Sequence, residues 1–308
     1  MRALPRLTAF TVFIPLVLLV SVVVAACGSV VLVEGDGSST VFPITEAVAE
    51  EFTFSEIGRR DRIAVLVGIS GTGGGFQKFC NGEIDFNDAS RPIKPSELER
   101  CAEKGVVPVE FQVAFDGLTV VVNPDNDFVD CLTIEELARI WEPGSDIDNW
   151  SDVRPEWPDK SLTLYGPDAD SGTFDFFTET VVGEEDASRP DYTASADDNV
   201  LVLGIAGDRA ALGYFGFAFF DQNAERLRLV AVDGGAGCVA PSRETIADGS
   251  YAPLSRPLFV YVRQDALERP EVASFMRFYL TEAPALAVEV GYVEAPAAVY
   301  EAGLAKIP

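Results

Sequence analysis

The run SGTGGGFQKFCNGEIDFNDASRPI, from Ser70 to Ile93, is the stretch on which the reading of this chain turns. It opens on small residues whose backbone N–H groups can approach a ligand closely, and then starts an amphipathic helix with Phe76, Phe79 and Cys80 on one face. Unpaired N–H groups and the positive end of a helix dipole point out of the glycine run, with the hydroxyls of Ser70 and Thr72 beside them. That is the chemistry of an anion seat. A short strand through Ile84 and Phe86 then delivers Asp88, Ser90 and Arg91, so an acceptor, a hydroxyl and a cation arrive together. Such a trio suits a protonated oxyanion. Glycine-rich turns between strand and helix also occur for packing alone, so this stretch by itself leaves both readings open.

Enzyme motifs fail on it. Gly68 and Gly73 have the spacing of a P-loop, but Gly74 stands where the lysine must be; a dinucleotide fingerprint on Gly71 and Gly73 needs glycine where Phe76 is. A nucleophile elbow around Ser70 breaks at Thr72. The chain of 308 residues contains no histidine, which removes Ser-His-Asp and Cys-His systems and the commonest metal ligand. Binding without catalysis is the expectation, with no cofactor and no metal.

Two further strand-to-helix junctions repeat the pattern. A strand at Val30–Val33 leads into GDGSSTVFPITEAV, with Thr40 or Ser39 as the expected N-cap, Pro43 tolerated in the first turn, and Ile44, Ala47, Val48 and Phe52 on the apolar stripe. A strand at Leu162–Tyr165 leads into GPDADSGT, where Ser171, Gly172 and Thr173 occupy the first turn of a helix carrying Phe174, Phe177, Thr178 and Val181. Three such junctions in one chain point to a built anion site.

Between them, Ile63–Ile69 reads as a buried parallel strand, and Pro95 starts a helix ending at Gly105. Val106–Val113 and Leu118–Val122 read as two strands, and Thr133 with Glu136 forms a capping box over Ile134, Leu137, Ala138 and Trp141. The stretch Glu142–Lys160 reads as a surface excursion, Asn199–Ala206 as a helix, and Leu212–Phe219, Leu227–Val232 and Pro257–Val262 as strands. Pro270–Leu280 reads as a helix with Val272, Phe275, Met276 and Tyr279 inward, and the Ala- and Val-rich tail as helical. Alternation of helix and strand predicts an α/β chain with mostly parallel sheets.

At the start, Arg2 and Arg6 precede an apolar run from Phe10 to Ala26, a secretory signal over residues 1–26. Val24-Ala25-Ala26-Cys27 followed by Gly28 resembles the bacterial lipobox, in which the cysteine becomes the lipidated first residue. An ordinary signal peptide or an uncleaved anchor is the competing reading. Two acyl chains suffice for stable anchoring. Cys80, Cys101, Cys131 and Cys238 remain, an even number in an exported chain, which favours two disulfides among three possible connectivities. The expected pairs are Cys80 with Cys101 and Cys131 with Cys238. Loss of Arg2 and Arg6 with the signal takes the formal charge from −26 to −28, which argues against nucleic acid or anionic lipid as a partner. It does not exclude a small anion, because surface charges are screened beyond about 8 Å at physiological salt.

GSSTVFPI, SGTGGGF, DFNDASRPI, DSGTF and LSRPLFVYV, in this order, resemble the substrate-binding lipoproteins of phosphate ABC transporters. The resemblance implies a type II periplasmic-binding-protein fold of two α/β lobes joined by two crossover strands. Lobe one would run over 29–116 plus 226–308 and lobe two over 117–225, with phosphate enclosed between them. It implies contacts from Ser39, Thr40 and Val41, from Ser70, Thr72 and Gly73, from Asp88, Ser90 and Arg91, and from Ser171, Gly172 and Thr173. It also implies a monomer that is exported, lies in the periplasm or is held by lipid on the outer face of the cell membrane, and works with a permease and an ATPase. One departure matters: many relatives have an arginine four residues before the serine of SGT, and here that position is Pro167. Either Arg91 supplies the guanidinium from the other lobe, or neutral donors suffice. The carboxylate acceptor is Asp88 or Asp170. An exported phosphate-ester hydrolase, a sensor or adhesin on the same scaffold, and a receptor for molybdate or sulfate are the alternatives.

Overall fold

The computed structural model describes residues 30–169 and 171–308; the leader, Cys27 and Asp170 lie outside the described residues. β1 (Val31–Gly37) begins at the expected place but continues through the first glycines. It pairs in parallel with β2 (Ile63–Val67) on one flank and β3 (Phe86–Ala89) on the other. β2 is therefore the edge of the sheet and not its buried middle. The helix Phe42–Phe54 covers one face, where Val65 and Val67 pack, while Leu66 is 53% exposed.

The two strands expected around residues 106–122 are one strand, β4 (Pro108–Val122), which crosses from one half of the molecule to the other. Asp116-Gly117 looks like a turn in sequence, but the backbone stays extended there. A Cβ on Gly117 would sit 2.5 Å from the Ile246 side chain, so only glycine lets the crossing strand pass. The remaining strands are β5 (Cys131–Thr133), β6 (Thr163–Gly166), β7 (Thr193–Ala194), β8 (Ala211–Gly216), β9 (Arg228–Asp233), β10 (Cys238–Val239) and β11 (Ser255–Arg263). Their main hydrogen-bonded order is β2-β1-β3-β11-β4-β8-β6-β7, with β9 also on β4 and flanked by β5 and β10.

Half of the ten described ladders are antiparallel, so the sheet is mixed and not mostly parallel. The physical reason is the crossing itself: β4 leaves one half and β11 returns to it alongside, antiparallel, with Arg256 opposite Asp116 and Ser255 opposite Gly117. Two cores flank that joint. The first is built from Val33 to Ala114 and Leu258 to Ile307, the second from Leu118 to Leu254 with Val293. The two-lobed arrangement with two crossover strands is thus present. The return falls at Ser255 and not near Arg226, because Val230, Val232, Ile246, Tyr251 and Leu254 bury their side chains in the second core.

Other differences have local causes. Residues 142–160 are not a surface excursion: Ile147, Trp150, Val153 and Trp157 are buried, and the Asn149 side chain caps the short helix Trp150–Val153. The aromatic strand expected to reach Phe219 stops at Gly216, after which Phe217–Gln222 is helical. At the helix Phe42–Phe54 the N-cap is Val41, without a side-chain cap, rather than Ser39 or Thr40. The Thr133–Glu136 box closes as expected, with reciprocal bonds of 3.1 and 2.9 Å. The helix Pro270–Glu289 buries Val272, Phe275, Met276 and Tyr279. Both expected disulfides are present. Cys80–Cys101 ties the helix Gly71–Cys80 to the helix Pro95–Glu103, and Cys131–Cys238 ties β5 to β10 across β9. No helix among the described residues is long and apolar enough to cross a membrane.

Candidate functional site

Three loops of the first lobe end on one cavity of about 580 Å³. Ser38, Ser39 and Thr40 leave the end of β1; Gly71, Thr72 and Gly73 open the helix Gly71–Cys80; Ser90, Arg91 and Lys94 follow β3. The second lobe faces them with Asp175, Phe176, Glu179, Thr180 and Glu185, and the crossover strand β11 adds Arg256. Parallel β1 and β3 lie side by side, which is why loops fifty residues apart in sequence share one rim.

The first-lobe loops are wired to one another. Gly37, at φ +138°, lets the chain turn against β3, where a Cβ would lie 2.2 Å from the Asp88 carbonyl oxygen. Ser38 N–H donates to that carbonyl at 3.0 Å, and Thr40 N–H donates to Ser38 Oγ at 3.2 Å. Asp36, nearly buried, accepts from Gly37 N–H at 2.7 Å, from Ser70 Oγ at 2.5 Å and from the Lys78 ammonium. Burial works to raise its carboxyl, but the Lys78, Ser70 and Gly37 donors outweigh it and hold it below its ordinary value. Thr72 and Ser90 share their hydroxyls at 3.1 Å, and Ser90 N–H donates to Thr72 Oγ1 at 3.2 Å.

The two arginines of the cavity are held differently. Arg91 sends both terminal nitrogens to Glu97, at 2.9 Å each, so its fork is filled by a carboxylate of its own lobe. Burial works to raise Glu97, yet Arg91 and the Lys94 N–H keep it lowered. Arg256 donates from Nε to Asp116 Oδ2 at 3.2 Å and from Nη2 to Thr40 Oγ1 at 3.0 Å, and lies 3.8 Å over the Phe176 ring. It therefore touches the first lobe, the second lobe and the joint at once. Asp116 is fully buried; desolvation raises its carboxyl, and Arg256 opposes the rise.

Two carboxyls stand out. Asp88 is completely buried and its oxygens have no hydrogen-bond partner within the described residues; desolvation pushes it well above the carboxylate range, with Thr45 opposing and Asp36 adding to the rise. Asp175, on the cavity wall, is pushed up to about 6 by desolvation and by Asp186 and Glu185, with Arg256 opposing.

Of the residues singled out in the sequence, Ser39, Thr40, Thr72, Gly73, Ser90 and Arg91 lie on the cavity wall. Val41 is buried in the first core, Ser70 turns its hydroxyl to Asp36, and Asp88 sits at the end of β3 without lining the cavity. Ser171, Gly172 and Thr173 abut the wall: Ser171 Oγ caps Thr173 N–H at 3.2 Å, and a Cβ on Gly172 would meet Thr40 Oγ1 at 2.7 Å. Sequence reasoning missed Ser38, Lys94, Asp175 and, above all, Arg256. Its signal was a cation at the head of an apolar strand, matched by an acid, Asp116, set between apolar residues of another.

Residues 25–283 match the PBP superfamily domain. The protein SphX of Synechocystis sp. is 48% identical over 271 residues, covering 87% of this chain and 80% of that one. The phosphate-binding protein PstS of Staphylococcus saprophyticus is 43% identical over 266 residues, covering 86% and 80%. The crystal structure of a possible phosphate binding protein from Planctomyces limnophilus superposes with a TM-score of 0.84 at 48% identity, covering 91% of this chain and 98% of that one. A two-lobed fold with its loops gathered on one interlobe cavity, together with these likenesses, places the chain in the PBP superfamily, in the family that includes SphX and the phosphate-binding protein PstS.

Proposed function

We propose that the chain captures hydrogen phosphate between its lobes, as the extracytoplasmic binding component of a phosphate ABC importer. The observation that carries this reading is the convergence of hydroxyl-bearing loops from β1, β3 and the helix Gly71–Cys80 on a cavity that the second lobe closes. The relatives named phosphate-binding support the choice of ion.

In this reading Ser39, Thr40, Thr72, Gly73, Ser90 and Arg91 bind from the first lobe. Val41 and Ser70 contribute from just behind them, through backbone N–H groups, and Ser171, Gly172 and Thr173 approach from the second lobe. Each hydrogen bond to a charged group contributes on the order of 1.5–3 kcal/mol, and about five or six offset the ordering costs and leave micromolar binding or better, about 8 kcal/mol net. The hydroxyls of Thr72 and Ser90 already hold each other and lose little freedom on binding, which lowers that cost.

Asp88 is the selecting carboxyl of this reading, but it acts from behind the cavity wall: it is completely buried, and its backbone carbonyl holds the Ser38 N–H of the loop that lines the cavity. Sulfate, fully ionised, brings no proton to the acidic groups that line the cavity, whereas hydrogen phosphate does. Export by the leader, lipidation at Cys27 and docking on permease and ATPase subunits complete the reading; the two disulfides suit an oxidising compartment. The test is calorimetric titration with phosphate, sulfate and molybdate, on the wild-type chain and on Asp88→Asn. Phosphate should bind at micromolar concentration or below with sulfate at least about 100-fold weaker, and Asp88→Asn should narrow that gap. An unchanged preference would take the selection away from Asp88, and turnover of a chromogenic phosphate ester would replace the binding reading with hydrolysis.

A further inference from the structure

We propose that Arg256 on the crossover strand is the cation that pairs with the bound anion, filling from the joint the role left open by Pro167. This rests on the reading of the cavity as an anion site. Four observations carry it. Arg256 lines the cavity and its side chain is 15% exposed, so its charge acts through a poorly screened path, whereas Arg91 is 29% exposed and Lys94 lies on the open surface. Arg91 has both terminal nitrogens on Glu97. Arg256 turns Nε and Nη2 to Asp116 Oδ2, each at 3.2 Å, and donates from Nη2 to Thr40, while its Nη1 finds no acceptor among the described residues. A tetrahedral anion can therefore accept the charge-assisted hydrogen bonds of Nη1, whose direction is fixed by the held guanidinium plane.

The Asp116 carboxylate does not cancel this role; it fixes the plane of the guanidinium. Asp116 and Arg256 are register partners on β4 and β11, so the fork is held by the two strands that join the lobes. Phe176 of the second lobe stacks on its face. An anion drawn to Nη1 thus sits where the lobes meet, and the cation needs no movement to receive it. This arrangement differs from an arginine carried four residues ahead of the second-lobe SGT, which would ride with one lobe as it moves.

The alternative is that Asp116–Arg256 is only a strut, and removal of one partner of a buried pair destabilises a fold by itself. The experiment therefore uses a variant that removes both charges, Asp116→Asn with Arg256→Gln, beside Arg256→Lys and Arg91→Gln. Each is checked for a cooperative melt and then titrated with phosphate by calorimetry at fixed ionic strength. The paired variant should bind on the order of 100-fold more weakly than wild type, which corresponds to two charge-assisted hydrogen bonds. Arg256→Lys should recover part of the loss, and Arg91→Gln should lose at least about tenfold less than the paired variant. A folded paired variant within about threefold of wild type would leave Arg256 as a strut, and a loss in Arg91→Gln as large as in the paired variant would hand the role to Arg91; either overturns the assignment. If the wild-type chain bound no tetrahedral anion, the anion-site reading itself would fall, a result distinct from both.

Discussion

Ser-Gly-Thr occurs twice at the cavity, at 70–72 and at 171–173, and the two copies are held by different partners. In the first, Ser70 donates to Asp36, Thr72 bonds Ser90, and Gly71 sits at φ +74° with open space around it. Every partner belongs to the same lobe. In the second, Ser171 caps its own helix and Gly172 lies against Thr40 of the opposite lobe. The same tripeptide is thus a fixed wall in one place and a closing contact in the other. Changes in the first should appear mainly as stability, and changes in the second mainly as affinity.

The largest effect expected from this contrast is at Gly172. A methyl there would press on Thr40 Oγ1 at 2.7 Å, a group already held by Arg256, so Gly172→Ala should weaken phosphate binding on the order of tenfold while the melting temperature barely moves. A large loss of melting temperature with unchanged affinity would erase the distinction between the copies. Ser70→Ala should do the reverse, costing about 1 kcal/mol, or a few degrees of melting temperature. Asp36 is held below its ordinary value, so its contribution is present above the unfolded pKa and is lost as pH falls through the lowered folded value. The stability gap between Ser70→Ala and wild type, read from melts across pH, should therefore close under acid. Gly71→Ala, forced into a left-handed backbone but with free space, should cost about 1 kcal/mol as well.

The smallest effect sharpens the second lobe's part. Asp175 faces Asp186, Glu185, Arg256 and Tyr214, and its carboxyl is raised to about 6. It is charged above that pH and neutral below, so it repels an anion only on the alkaline side. Asp175→Asn should bind phosphate a few-fold tighter than wild type at about pH 8 and equally at about pH 5. Comparing the two proteins at each pH cancels the titration of phosphate itself.

What the sequence showed follows from how local each cause is. The Thr133–Glu136 box needs three residues of chain, and it closes as expected; the glycine and hydroxyl loops owe their shape to the adjoining strands and helices, and most of them reach the cavity. The continuity of β4 was hidden because Asp116-Gly117 has turn chemistry and only the packing of Ile246 shows why glycine is there. The residues 142–160 look polar along the chain, yet two tryptophans anchor them in the second core. Arg256 was hidden for the same kind of reason: its meaning depends on Asp116, 140 residues away in sequence. Ser70 could be placed near the site but not aimed, since the acid that captures its hydroxyl lies on β1.

The proposed function requires one cavity to receive one tetrahedral ion from both lobes. Crystals grown with arsenate, an anomalous scatterer of the same shape as phosphate, test this directly. The prediction is a single anomalous peak within hydrogen-bond distance of Thr40, Ser90, Arg256 and the 171–173 loop. A peak confined to another surface, or full occupancy with the second lobe out of contact, would contradict it.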